Sequence, residues 1–213
     1  MHINKIHYPI TSLGYGLRIG LWTQGCSIRC RGCINADTWQ RKNEDDIPVV
    51  KICEELADWF RLADGLTVSG GEPFDQPEDL RQLLVKFREF NQGDRVVFSG
   101  YSHQHLFTTF PWLSSHIDVL ISEPFDGNAG QTLALRGSDN QRIFLLSDLA
   151  LKRYAKDMDL EKWGERRPMD AIVEGDTVWL AGIPAPELLP KLRDRLRVAG
   201  YLSSDSSSFS IRA

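Results

Sequence analysis

Apolar positions recur with two periods along this chain, and the switches between the periods lay out most of its elements. Leu17–Gln24 (LRIGLWTQ) reads as a buried strand that ends at a cysteine-bearing loop. From Ile47 to Ala63, Val50, Cys53, Leu56, Trp59 and Phe60 recur at helical spacing, and Pro48 suits a first helical turn. Leu66–Ser69 is a short strand running into Gly70-Gly71. Gln76–Phe90 is an amphipathic helix with Pro77 near its start and Leu80, Leu83, Leu84 and Phe87 as its core stripe. A strand opens the stretch Asp94–Gly100. Tyr101–His116 begins as a helix with Ser102 as candidate N-cap and is disturbed at Pro111. Ile117–Phe125 is a strand that leads into a loop.

This succession of strand, loop and helix is the pattern of an α/β fold, a mainly parallel sheet covered by helices. In such sheets ligands collect beyond the carboxyl ends of the strands, and right-handed crossovers bring those ends to one edge. Three segments follow predicted strands and are expected at that edge: the cysteine loop, Gly70-Gly71-Glu72-Pro73, and Ser99-Gly100.

The last third of the chain has a different grain. Met169–Pro184 alternates about Gly175-Asp176, which predicts a β-hairpin. Ala185–Gly200 predicts a helix stopped at Gly200, with a kink implied by Pro190. Its stripe of Leu188, Leu189, Leu192, Leu196 and Val198 is expected to cover the core. The serine-rich end, Ser203–Ala213, is expected to be mobile unless Phe209 and Ile211 pin a last strand. The division expected is a core over residues 1–155 and a small ββα extension over 156–213.

Composition narrows the class. The chain of 213 residues, 42% of them hydrophobic, is long enough for one domain with a substantial core and argues against extensive disorder. No apolar run approaches the ~20 residues of a membrane span. MHINKIHYPI at the start lacks an apolar segment with a small-residue cleavage site, so no signal peptide is read and a cytoplasmic location is expected. Clustered cysteines there more often bind metal or do redox chemistry than form disulfides. The net charge of −4 without a long basic run does not favour a nucleic-acid partner.

Three of the four cysteines, Cys26, Cys30 and Cys33, lie in GCSIRCRGCINADTW. Four thiolates would close a structural zinc site or a cubane cluster, whereas three leave one metal position open for a substrate or cofactor. Cys53 sits within an apolar helical stripe and reads as a buried small hydrophobe. Arg29 and Arg31, between the cysteines, suit either a solvated loop face or the neighbourhood of an anion.

The C-x3-C-x2-C spacing after a first strand, followed by SGGEP after a second, resembles the radical S-adenosylmethionine superfamily. Within it, the cysteine loop is similar to that of the anaerobic ribonucleotide reductase activating proteins, with Gly32, Asn35, Thr38 and Trp39 at matching places. LGYGLRIGLW, FSGYS, DVLISEPF and LRGSDNQRI extend the likeness over approximately residues 5 to 145; the family's acidic residue and glycine before PF are here Ser122 and Glu123.

The resemblance implies a partial (β/α) barrel of mainly parallel strands and a 4Fe-4S cluster with Cys26, Cys30 and Cys33 on three irons. The fourth iron is chelated by S-adenosylmethionine, whose reductive cleavage gives a 5′-deoxyadenosyl radical. It places Gly70, Gly71, Glu72 and Pro73 against the cofactor's methionine end, Ser99 either on the cofactor or in a plain turn, and Asn35 at the cofactor and in the shaping of the loop. Trp39 is expected to pack, and His103 and His105 to be surface residues. The donors of Arg136–Arg142 suit either a partner loop or the sheet edge. Three functions stay compatible with the residues. The first is an activase that takes hydrogen from a glycine of a partner glycyl-radical enzyme, fed by flavodoxin or ferredoxin. The second is a radical enzyme acting on a small molecule or peptide, and the third a non-catalytic iron–sulfur electron-transfer or scaffold protein.

Overall fold

A computed structural model describes residues 1–41, 46–156, 167–175 and 177–201. Six strands form one sheet in chain order: β1 (Ile3–Ile10), β2 (Arg18–Thr23), β3 (Gly65–Gly70), β4 (Asp94–Phe98), β5 (Val119–Ser122) and β6 (Arg142–Leu145). β2 to β5 run parallel, with β1 and β6 added antiparallel at the two edges. The helices are α1 (Val49–Glu55), α2 (Ala57–Leu62), α3 (Pro77–Phe90), α4 (His103–Thr109), α5 (Leu113–His116) and α6 (Asp148–Ala150), which continues as a π-helical turn, Leu151–Lys156. A separate hairpin, β7 (Met169–Glu174) and β8 (Thr177–Gly182), precedes α7 (Leu188–Val198). Among the described residues no helix is long and apolar enough to cross a membrane.

The parallel strands read as apolar runs because both of their faces are covered, as β2 with every residue buried makes plain. On one face Ile19, Leu21, Leu66, Val68, Val97 and Leu120 pack against Phe60, Leu80, Leu83, Leu84, Phe87 and Leu106 from the helices. Cys53 of α1 belongs to this core, and burial pushes its thiol up to about 11. On the other face Val96, Val119 and Ile121 meet Leu135, Ala150 and Tyr154.

Several expectations needed correction. The helix expected over Ile47–Ala63 is broken at Leu56, whose ψ of 8° ends α1 and starts α2. Strand β1 was not anticipated: as an edge strand it is mostly half-buried and carries Lys5 and His7, which blur the alternation. Strand β6 was missed because only four residues, RIFL, follow a polar loop. Tyr101–His116 does break around Pro111, into α4 and α5, and Ser102 caps α4 through the His105 N–H.

The hairpin forms as expected and docks on the start of the sheet. Asp170 accepts hydrogen bonds from the backbone and hydroxyls of Thr11 and Ser12, and Ala181 is buried with Ile10, Leu13 and Trp22. The Lys5 ammonium lies 4.4 Å from the Trp179 ring. The expected covering role of α7 is not met: it buries no residue, and Leu188, Leu192 and Val198 are exposed. Leu189 and Leu196 of its stripe are half-buried. The last strand expected at Phe209 and Ile211 lies outside the described residues, as does Asp176 of the hairpin turn.

Candidate metal and cofactor centre

The cysteine loop leaves β2 and closes on itself. Gly25 N–H donates to Thr38 O at 2.7 Å and Cys26 N–H to Trp39 O at 3.2 Å, so the loop ends are tied together. The buried Gln24 amide reaches the carbonyls of Asp37 and Gln40. Inside the loop, Arg29 (φ 52°) and Gly32 (φ 80°) are left-handed and turn the chain between successive cysteines.

All three thiols are half-buried and unpaired with one another. Burial pushes each of their pKa values up, and backbone N–H groups oppose it: those of Arg29 and Ile28 at Cys26, Phe125 at Cys30, and Asn35 at Cys33. Arg29 N lies 3.5 Å from Cys26 Sγ and Asn35 N 3.4 Å from Cys33 Sγ. Trp39 is buried against the loop, and its indole opposes the upward push of burial on the Cys33 thiol. Sulfurs ringed by N–H donors suit thiolates, and the chemistry of this donor set fits an iron–sulfur cluster. Among the described residues no three His, Cys, Asp or Glu side chains converge on a point where one ion could sit.

β3 delivers the second segment beside the first. Glu72 N–H donates to Gly25 O at 2.8 Å, and Gly71 N–H to Thr23 O at 2.9 Å. Gly71 has to be glycine, since a Cβ there would fall 2.0 Å from the Gly25 carbonyl oxygen. Gly70 has a φ of 104° and presses on the Thr23 backbone. Pro73 is buried and opens a short 3-10 turn capped by Glu72.

Glu72 itself is 1% exposed, and burial pushes its pKa up to about 7 against the hydrogen bonds it accepts. Its Oε1 accepts from Phe74 N–H (3.0 Å) and the Ser99 hydroxyl (2.9 Å), and its Oε2 from Gly100 N–H (2.8 Å). Ser99 also accepts from Tyr101 N–H at 3.1 Å. Glu72 and Ser99 therefore tie the end of β3 to the end of β4. Asn35 contributes through its backbone: besides its N–H on Cys33, its carbonyl takes the Thr38 hydroxyl at 2.6 Å.

Sequence reasoning missed the clamp on the Cys26 side. Asp75 accepts from Ser27 N–H (2.7 Å), the Ser27 hydroxyl (2.9 Å) and the Tyr101 hydroxyl (2.8 Å). Three segments far apart in sequence meet there, so only the tertiary fold reveals it. A cleft of about 350 Å³ opens beside Cys26, lined among others by Ser27, Arg29, Trp39, Arg41 and Asp75. Of the histidines, His105 is exposed, while His103 pairs with Glu123 at 2.7 Å. Within Arg136–Arg142, Gln141 and Asn140 donate to the carbonyls of Glu123 and Pro124.

Residues 12–144 match the family model described as a 4Fe-4S single cluster domain. The chain is 30% identical over 155 residues to the anaerobic ribonucleoside-triphosphate reductase-activating protein of Enterobacteria phage T4, which spans 70% of this chain and 96% of that protein. It is 35% identical over 147 residues to the protein of the same name from Haemophilus influenzae, covering 64% of this chain and 94% of the relative. The pyruvate formate-lyase-activating enzyme of Staphylococcus aureus is 36% identical over 170 residues, covering 76% of this chain and 66% of that enzyme. With three thiols on a loop beside a glycine-thin strand end, and these relatives, the chain belongs to the radical S-adenosylmethionine activating enzymes of glycyl-radical enzymes, whose cofactors are a 4Fe-4S cluster and S-adenosylmethionine.

Proposed function

We propose that this protein activates an anaerobic ribonucleotide reductase-like partner by taking a hydrogen atom from a glycine of that partner. When bound, the cluster supplies the electron that cleaves S-adenosylmethionine to the 5′-deoxyadenosyl radical. Cys26, Cys30 and Cys33 hold three of its irons. Gly70 and Gly71 let the cofactor's methionine end approach the backbone, with Pro73 fixing the exit of that segment. Among the described residues Glu72 Oε2 accepts one hydrogen bond, from Gly100 N–H, and keeps a lone pair for the cofactor's ammonium. Ser99 holds Glu72 in place, and Asn35 braces Cys33. The open sheet is taken as the wall of a partial (β/α) barrel over residues 1–155, with 156–213 as a ββα extension. A flavodoxin or ferredoxin is the proposed electron donor.

The observation that carries this reading is the junction of the cysteine loop with Gly71-Glu72, where two backbone hydrogen bonds bring the thiols and the cofactor segment to one sheet edge. The test is anaerobic reconstitution with a candidate glycyl-radical partner, a reductant and S-adenosylmethionine, followed by electron paramagnetic resonance. A carbon-centred radical on the partner is the expected result. Release of 5′-deoxyadenosine with no partner radical would move the function to a small-molecule or peptide substrate. No cleavage of the cofactor at all would remove the catalytic reading.

A further inference from the structure

The turn after β5 carries a residue in a conformation that side chains with a Cβ rarely adopt. Glu123 has a φ of 83°. Its side chain holds it there: Oε1 accepts from His103 N–H at 3.0 Å and pairs with His103 Nδ1 at 2.7 Å. The His103 ring in turn stacks on Phe144 of β6, with ring centres 5.3 Å apart. The backbone of the turn is tied as firmly. Glu123 N–H donates to Tyr101 O, and the carbonyls of Glu123 and Pro124 accept from Gln141 and Asn140. Backbone strain that is over-determined by its surroundings, at the edge of a functional site, calls for a reason.

The turn delivers Phe125. Its ring lies between two glycines: a Cβ on Gly137 would be 3.3 Å from it, and a Cβ on Gly32 would be 3.5 Å from it. Gly32 sits between Cys30 and Cys33, and the Phe125 backbone N–H faces the Cys30 sulfur. The Cys26 half of the loop is held by the Asp75 clamp on Ser27. On the Cys30–Cys33 side, Arg31 and Gly32 are exposed, and the Phe125 ring borders that turn at Gly32.

We propose that Phe125 is a positioning residue for the Cys30–Cys33 half of the cluster loop, locked in place by the Glu123–His103 pair. The inference rests on the reading of the three cysteines as cluster ligands. It explains why a costly backbone conformation is kept by a side chain that could have been replaced by glycine.

The test uses the full chain reconstituted anaerobically, with two readouts: the rate of iron loss to a chelator and the resonance signal of the reduced cluster. Phe125→Ala is expected to lose iron about tenfold faster than the parent chain, the usual scale for losing a group that orients a metal ligand. Phe125→Leu restores most of the difference. Glu123→Ala keeps the backbone cost and loses the hold, so it behaves like Phe125→Ala. Glu123→Gln keeps an acceptor for His103 and stays close to the parent. Glu123→Gly sheds the backbone cost together with the hold and falls between. The resonance signal changes in the two alanine variants and not in the Gln and Leu variants. If Phe125→Ala does not fold, the Glu123→Ala and Glu123→Gln pair decides on the same readouts. Parent rates and an unchanged signal in the alanine variants overturn the inference alone. A parent chain that takes up no cluster overturns the cysteine reading beneath it.

Discussion

The two ends of the parallel strands follow opposite rules. At the amino ends, charge is buried and fully answered. Arg18, at the head of β2, is 0% exposed, yet it donates to Thr67 Oγ1, Tyr15 O, Leu66 O and Asp94 O and pairs with Asp94 Oδ2 at 2.9 Å. Asp94, at the head of β4, also takes Tyr154 and Arg153. Asp118, just before β5, holds Arg95 and Arg88. At the carboxyl ends stand three thiols lifted by burial, a backbone reduced to glycine, and a glutamate whose carboxyl is pushed toward neutrality. Such a division lets a domain keep its stability at one edge while the other carries groups that folding alone would not select.

The sharpest break of this comparison is at the thiols. Cys26→Ala, Cys30→Ala and Cys33→Ala are each expected to abolish a stable cluster, against about four irons per chain in the parent. Cys53→Ala, in the main core, is expected to retain the cluster at a packing cost of about 1 kcal/mol. Iron analysis with the visible absorption of the anaerobic protein reads all four. Loss of iron in the Cys53 variant would end the argument that one metal position is left open.

The opposite end should respond the other way. Arg18→Met removes the hub of a buried ionic network and leaves Asp94 with fewer partners, at a cost of about 3–5 kcal/mol in unfolding free energy. Denaturant titration of the apo chain measures it. Iron uptake per folded chain should match the parent, because no group of the cluster loop touches Arg18. A variant with intact stability and lost iron would dissolve the distinction between the two ends.

Much of the carboxyl edge was legible because its signals are local. The cysteine spacing, Gly-Gly after a strand and the Ser102 cap each occupy a few consecutive residues. The amino-end network was not legible: Arg18, Thr67, Asp94 and Tyr154 share no spacing, and Arg18 lies in a run that otherwise reads as apolar strand. β1 hid for a related reason, since its alternation is diluted by Asn4, Lys5 and His7, whose partners lie elsewhere in the fold. The break at Leu56 carries no glycine or proline to announce it. In α7 the reverse happened, with a clear amphipathic stripe of which no residue is buried.

A smaller effect tests the junction itself. Gly71→Ala puts a Cβ where the Gly25 carbonyl stands, 2.0 Å away, and backbone on both sides has to move. The apo chain is expected to lose about 1–3 kcal/mol, the scale of overpacking. Cofactor affinity should fall more than iron content, because the loop can still present its thiols once displaced. Calorimetric titration of S-adenosylmethionine into the cluster-loaded variant checks this ordering. Equal affinity in variant and parent would take Gly71 out of the cofactor segment.

The two ends also predict opposite responses to pH, the smallest and most specific of these effects. Burial pushes the Glu72 carboxyl of the apo chain up to about 7, above its ordinary value of 4.5, because it disfavours the charge. Its protonated form therefore favours folding below about pH 4.5, and that contribution, on the order of 3 kcal/mol, is lost as pH rises through about 7. Asp118 moves downward: burial raises its pKa, but hydrogen bonding and the charge of Arg95 outweigh that. Its contribution is present above the ordinary aspartate value and is lost as pH falls below that value through its own lowered one. Glu72→Gln places an amide where Gly100 N–H needs an acceptor, so the variant is less stable throughout, by about 1–3 kcal/mol. Its urea midpoint, however, should vary less than the parent's between about pH 5 and pH 8. Asp118→Asn should leave that interval unchanged and flatten the acid limb instead. If the two variants altered the same limb, the two ends of the sheet would not be electrostatically distinct, and the division drawn between them would have to be abandoned.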